Sequence, residues 1–482
     1  MFFSILFLLY VFVICTIEEA ASTGFKVHLK KKGLDLISDY TKDNLKSLRS
    51  LPSPIAGSYG YIDYELTDIY INLSSDDFFA DYNFEPDKEV KITLDNVNFY
   101  LSSPYEVSLW PFYNTGTVTV TVRNLRLITR LTLSAVDGSL QIPSIYYCHT
   151  DMSSLTLKFL GGPINQIFNQ FAHLAEKRVQ SVLQEKICET LRQSVGRSLN
   201  GALYAVPKET VIFRNLYLNY TITEQPTVYA NQLETGHDGM TFFWSPKCRV
   251  VVGGSRETGL DGFTEFRNLE SFNDHMIYLF FSQLSFNSLL KGLYSCDHFD
   301  IILNQETLPE YADYLRTTCD LLCAGFLFPE LENQYPNSSL NLHLDLTGLP
   351  VSEITNDNIR IFAKAKIFGS VVDSENSYTD IFNCKLSMEL LLADLRLANN
   401  TLQANIESDK IKLSDLQTDI SDITLDQLDF ILGLAFDDIL QSHFTDFLAK
   451  GIQIPPLGPF RLADGEIVTE KSMIILKADF VY

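Results

Sequence analysis

The order of apolar and polar positions divides the chain into two similar halves. Each opens with an alternating strand that runs into an amphipathic helix. In the first half this is Phe25-Lys-Val27-His-Leu29, then Leu34, Ile37, Tyr40, Leu45 and Leu48 at helical spacing; in the second it is Met276-Ile277-Tyr278-Leu279-Phe280, then Leu284, Leu289 and Leu290. Strands follow at 61–73, 90–101 and 118–133, and again at 340–346, 359–367 and 386–397. The run Thr117-Val118-Thr119-Val120-Thr121-Val122 has the period of two of a half-buried strand.

Each half then carries one long helix. The first starts at Gly161-Gly162-Pro163, with proline suited to the first helical position, and extends to about residue 201. Its apolar stripe is Ile164, Ile167, Phe168, Phe171, Leu174, Ala175, Val182, Leu183, Leu191 and Val195. The second spans about 424–451, with Leu428, Leu432, Phe436 and Ile439 on its apolar face. Closing strands are expected at 211–222 and 467–482, and the stretch 224–262, with six glycines from Gly236 to Gly262, is a connector. Strand-dominated halves with one short and one long helix each make an α+β protein. A wide, phenylalanine-rich helix face must lie on something apolar. A bent sheet can supply it and leave an elongated slot; simple core filling accounts for the same residues, and periodicity does not separate the two.

The 482 residues are 46% hydrophobic and 20% charged, which excludes a disordered or low-complexity chain. A net charge of −23 argues against a nucleic-acid partner. Residues 2–15 are apolar apart from Ser4 and Tyr10, too short for a membrane span, and are followed by Ala20-Ala21-Ser22. The reading is a signal peptide over 1–22 and a secreted, extracellular chain, although no basic residue precedes the run and Glu18 and Glu19 follow it. A buried N-terminal helix is the alternative. Glycosylation sequons at Asn72, Asn219, Asn337 and Asn399 agree with secretion. Seven cysteines remain after residue 22, an odd number, so at least one is free or paired between chains.

Charge is uneven. Residues 23–240 carry 20 Lys+Arg against 23 Asp+Glu, and residues 241–482 carry 17 against 35. Basic spots remain in the first half at Lys30-Lys31-Lys32, Lys42, Lys46, Arg49, Lys88 and Lys91. They read either as a solvated face or as a contact for anionic headgroups. No metalloprotease, serine-hydrolase, nucleotide or dinucleotide motif occurs, and Cys319-x-x-x-Cys323 lacks a second ligand pair for zinc. The chain is therefore read as a non-enzyme without catalytic residues, metal or cofactor.

In this order the segments resemble a known family, that of bactericidal/permeability-increasing protein, lipopolysaccharide-binding protein, and the phospholipid and cholesteryl ester transfer proteins. The carriers are Gly24-Phe-Lys-Val-His-Leu-Lys-Lys-Lys-Gly33-Leu34-Asp35, Ile55-Ala-Gly57, Ile142-Pro143-Ser144-Ile145 leading to Cys148, and Lys186-Ile-Cys188. In the second half they are His275-Met-Ile-Tyr-Leu-Phe, Phe326-Leu-Phe-Pro329, Tyr335-Pro336, and the segments from Gly451 to Pro455 and Ala478 to Tyr482. The resemblance implies an elongated boomerang of two twisted barrels, each wrapped on its long helix and joined by a central antiparallel sheet. It implies domains at 23–223 and 263–482, linked through 224–262, and a disulfide between Cys148 and Cys188. It also implies an apolar lipid pocket in each half. The residues placed there are Ile164, Phe168, Phe171 and Leu174 in one, and Leu432, Phe436 and Ile439 in the other. The expected function is carriage of phospholipid or a similar amphiphile, with a lipid particle or membrane surface as transient partner. The alternative is capture of lipopolysaccharide through a basic N-terminal tip formed by Lys42, Lys46, Arg49, Lys88 and Lys91. The endotoxin-binding members have a strongly basic first half and this chain does not, which favours the carrier.

Overall fold

The structure, a computed structural model, describes residues 23–482 apart from 48–54, 60–61, 74–77, 86–88, 110, 162–164, 195–199, 214–215, 244–271, 296–298, 320–321, 399, 431, 433–450 and 455–459. The first half runs β1 (Phe25–Lys30), α1 (Lys31–Ser47), β2 (Ile55–Tyr59), β3 (Ile62–Leu66), β4 (Tyr70–Leu73), β5 (Phe79–Glu85), β6 (Glu89–Leu109), β7 (Phe112–Thr132), β8 (Ser134–Val136), β9 (Ser139–Gln141), β10 (Ile145–Leu160), α2 (Asn165–Ser194) and α3 (Asn200–Tyr204). Strands β11 (Glu209–Phe213), β12 (Leu216–Asn219), β13 (Thr227–Val228), β14 (Gln232–His237) and β15 (Thr241–Phe243) follow.

The second half repeats the opening with β16 (Ile277–Ser282) and α4 (Gln283–Ser295), then β17 (Ile301–Leu303), α5 (Ala324–Leu327) and α6 (Pro329–Gln334). Its large sheet is built from β18 (Ser339–Leu346), β19 (Val351–Ile354), β20 (Ile359–Val372), β21 (Tyr378–Ala398) and β22 (Thr401–Thr418). Helical residues 425–430, β23 (Ile452–Gln453), β24 (Arg461–Glu470) and β25 (Met473–Val481) complete the described elements.

A six-stranded antiparallel sheet, ordered β13-β14-β1-β16-β25-β24, joins the halves. The opening strands of the two halves lie side by side in it, with Val27 opposite Leu279 and Leu279 opposite Leu476. Alternation sorts its side chains between two faces. Phe25, Ile277, Leu279, Leu476, Ala478 and Phe480 make one apolar cluster. The opposite face pairs Tyr278, Phe280, Met473 and Ile475 with a polar set of buried His28 and Lys30 and partly buried Lys26 and Glu234. Lys26 lies 2.7 Å and His28 2.9 Å from the Glu234 carboxylate. Burial alone would raise that carboxyl, but its hydrogen bonds and the Lys26 charge bring it down to about 2.

Each half also has a large, strongly bent sheet, ordered β10-β7-β6-β3-β2 in the first and β17-β18-β20-β21-β22-β23 in the second. The bends fall where Asn or Asp takes a positive φ inside a long strand and the pairing register shifts. These are Asn96 (56°) and Asn124 (56°) between β6 and β7, and Asp394 (50°) and Asp415 (53°) between β21 and β22. The strand expected over 61–73 breaks at Asp68, whose φ is 44°, into β3 and β4. The closing strand expected over 211–222 is likewise the pair β11 and β12.

Helix α2 covers the edge strand β10 with polar side chains. Phe159 donates its N–H to Asn169 Oδ1 (2.8 Å), whose Nδ2 donates back to the Phe159 carbonyl (2.9 Å). Leu157 donates to Glu176 Oε1 (3.1 Å), and Gln180 donates to the Met152 carbonyl (3.2 Å). Positions 169, 176 and 180 share one helix face, so the edge's open backbone groups are satisfied by side chains instead of another strand. Cys148 and Cys188 are bonded, tying β10 to α2, and Cys319 is bonded to Cys323. Cys384 is a free, buried thiol.

Candidate functional site

The short helix α4 carries one charged residue, Lys291, and buries Leu284, Leu289, Leu290 and Leu293 together with Ser285, Asn287 and Ser288. A helix buried on several sides must have its small polar groups satisfied. On one side Ser288 Oγ accepts from the Thr241 N–H (3.0 Å) and donates to the Ser285 carbonyl (2.7 Å), while Ser285 Oγ donates to the Gly239 carbonyl. On the other, Asn287 Oδ1 accepts from both the Ser352 N–H (2.8 Å) and its hydroxyl (2.7 Å). Two polar seams thus clamp α4 between β15 and β19.

The remaining face of α4, with Phe286, Leu289 and Leu293, looks into a cavity of about 1580 Å³ counted with its open mouth. Its other walls are the central sheet (Phe281, Ile474), the inner faces of β20 and β21 (Ile361, Met388, Leu390) and the β11–β12 pair (Ile212, Leu218). Among the described residues no charged side chain lines it, and the polar ones are Tyr220, Thr241, Ser285 and Gln403. Burial pushes the Tyr220 phenol well above its usual range, so the ring stays neutral. A second apolar cavity, of about 1470 Å³, lies farther along the same half beneath α5 and helical residues 425–430.

Of the sequence-derived lining, one residue has a described side chain and it falls on one of these walls. Leu432 is buried and lines the second cavity beside Leu428. Ile164, Phe436 and Ile439 lie outside the described residues, as do the side chains of Phe168, Phe171 and Leu174. On α2 the described core contacts come from Ala172, Val179, Leu183, Ile187 and Leu191, of which Leu183 and Leu191 belong to the expected stripe. Helix α4 was legible as a helix but not as a cavity wall. The available signal was its near absence of charge.

Two residues of the expected basic tip have described side chains. Lys42 pairs with Asp39 at 2.9 Å, and Lys91 lies 3.5 Å from Glu85. Lys91 sits at the opposite end of β6 from the β6–β7 hairpin, beside Val90, which packs with Leu34 and Val228 near the central sheet. Arg49, Lys88 and the Lys46 side chain lie outside the described residues. Of the sequons, Asn72 is exposed on β4 and Asn337 is exposed in a turn, Asn219 is partly buried on β12, and Asn399 lies outside the described residues. Among the described residues no cluster could hold a metal, and no helix is long and apolar enough to cross a membrane.

Residues 210–482, more than half of the chain, match the model of the LBP / BPI / CETP family, C-terminal domain. The chain belongs to that family of lipid-binding and lipid-transfer proteins. It is 20% identical to human lipopolysaccharide-binding protein over 397 residues, covering 82% of this chain and 79% of that one. It is 21% identical to mouse phospholipid transfer protein over 451 residues, covering 91% and 86%. The crystal structure of lipopolysaccharide binding protein superposes with a TM-score of 0.57 at 17% identity, over 96% of this chain and 99% of that one, and shares the fold.

Proposed function

We propose that this chain is a secreted carrier, without catalytic activity, that shelters the acyl tails of phospholipid-like amphiphiles in the cavity between the central sheet and the second half. The observation that supports the reading is the apolar, uncharged character of the described residues of that cavity's wall. A diacyl lipid in water exposes on the order of 30 methylenes, opposing escape from a bilayer by roughly 25 kcal/mol at about 0.8 kcal/mol each. A dry wall that replaces the bilayer's hydrocarbon removes that barrier without chemistry, and the headgroup stays in water at the mouth. A companion pocket in the first half, lined by Ile164, Phe168, Phe171 and Leu174, belongs to the same proposal.

Mass spectrometry of gently purified protein tests it. Co-purifying phospholipid is expected, and Ala363→Trp, which fills the wall of β20, should cut the amount by about half if each half holds one lipid. Consistent absence of lipid from the unaltered chain overturns the reading. Similarity to a protein named for lipopolysaccharide binding favours a second reading, endotoxin capture. Charge reversal at Lys42, Lys46 and Lys88 with unchanged endotoxin affinity would remove it.

A further inference from the structure

The cavity farther from the central sheet has a different chemistry at its mouth. Its interior is apolar, with Leu340, Leu342, Ile367 and Phe382 from the large sheet facing Phe328 and Leu428. Among the described residues no lysine, arginine or carboxylate lines it. Two lining residues are tyrosines, Tyr311 and Tyr314, with ring centroids 6.1 Å apart and planes tilted by 47°. Three further lining or flanking side chains face solvent: Leu322 at 59%, Phe430 at 62% and the neighbouring Phe326 at 61% exposure. Apolar groups exposed around an apolar cavity mark an entrance.

The chain around this entrance is acidic. Residues 300–335 hold seven Asp+Glu and one arginine, and residues 415–430 hold five acids and no base. The arginine, Arg316, is taken by Asp313 at 3.0 Å. The two stretches are held together where Ser421 donates its N–H to Glu330 (2.8 Å). An anionic headgroup would meet repulsion and find no basic partner in the lining. A cationic head is attracted by the acidic surround, and paired aromatic faces suit a quaternary ammonium, which needs no hydrogen-bond acceptor.

We infer that this distal cavity is a second binding site that takes an amphiphile with a quaternary ammonium head, its alkyl chain inside and its head against Tyr311 and Tyr314. The site is separate from the cavity beside the central sheet, so it stands or falls independently of lipid carriage there. Cys384 lines the distal cavity alone and reports on its occupancy.

The test is alkylation of the Cys384 thiol by N-ethylmaleimide in the full, delipidated chain, with dodecyltrimethylammonium or dodecyl sulfate present below micelle formation. The ammonium detergent should protect at about tenfold lower concentration than the sulfate. Tyr311→Leu with Tyr314→Leu should erase that difference while leaving chain binding. Equal protection by both detergents, or a preference that survives the tyrosine changes, overturns the inference. Should the thiol react in neither state, calorimetric titration decides. Ammonium-selective binding must then be present in the unaltered chain and lost with Leu342→Trp, and its absence or persistence overturns the site. If Leu342→Trp does not fold, the tyrosine pair, partly exposed, serves alone in the same titration.

Discussion

The two halves open alike and bend their sheets alike, and two helices of different position, the long α2 of the first and the opening helix α4 of the second, meet their sheets in different ways. In the first, α2 lies along the edge of β10, held by Asn169, Glu176 and Gln180 and by the Cys148–Cys188 bond. In the second, α4 is clamped at both flanks by serine and asparagine and keeps its leucines for a cavity. The difference teaches that polar side chains decide where a helix sits in this architecture, and that apolar ones take whatever space remains. A helix fastened by its polar flanks need not fill the volume beneath it.

Removing the covalent fastening should break the contrast most strongly. The Cys148–Cys188 loop spans 40 residues, so Cys148→Ala with Cys188→Ala should cost about 4 kcal/mol in the chain-entropy picture. Denaturant unfolding should then show the first half melting ahead of the second, where the intact protein melts later. A single transition at the original midpoint would mean that the polar seam suffices.

The joint comes next. The Glu234 carboxyl titrates near 2 when folded, below its ordinary 4.5, so its stabilisation is complete above the ordinary value and disappears as pH falls toward 2. Glu234→Gln should cost about 2–3 kcal/mol at neutral pH and flatten the acid limb of the stability profile. An acid limb identical to that of the unaltered protein would assign the loss to other groups. A smaller effect sharpens the likeness between halves: Asn124→Ala and Asp394→Ala each place alanine at a positive φ and should each cost about 1 kcal/mol, with glycine tolerated at both. At the bottom of the scale, Lys42→Glu breaks a partly exposed pair and should move stability by about 0.5 kcal/mol or less.

Much of this was legible in residue order. Period-two alternation located β6, β7, β20 and β21, and the paired openings of the halves located β1, α1, β16 and α4. The bends were not, because Asn96, Asn124, Asp394 and Asp415 sit inside convincing strands and act through φ instead of through hydrophobicity. The cavity was harder still. Its wall is assembled from β11, α4, β20, β21 and β25, segments more than 200 residues apart at the extremes, and Leu390 looks the same to a periodicity count whether it meets a side chain or a void. The partners of the lysines were not legible either: residue order offered a solvated face or a headgroup contact, and the pairs Lys42–Asp39 and Lys91–Glu85 emerge only from the fold.

The central sheet sets the order in which the molecule can be finished. Phe25 pairs with Phe281, and Phe281 pairs with Ile474, so the seam draws on the beginning, middle and far end of the polypeptide. During synthesis β16 has no neighbour on one side until residue 473 has emerged, by which time both lobes have had their strands available for many seconds. The bridge between the lobes therefore begins with β16 on β1, before the second lobe's own sheet exists, and is completed only by β25, so a ribosome stalled short of β25 leaves the joining sheet with an open edge at β16.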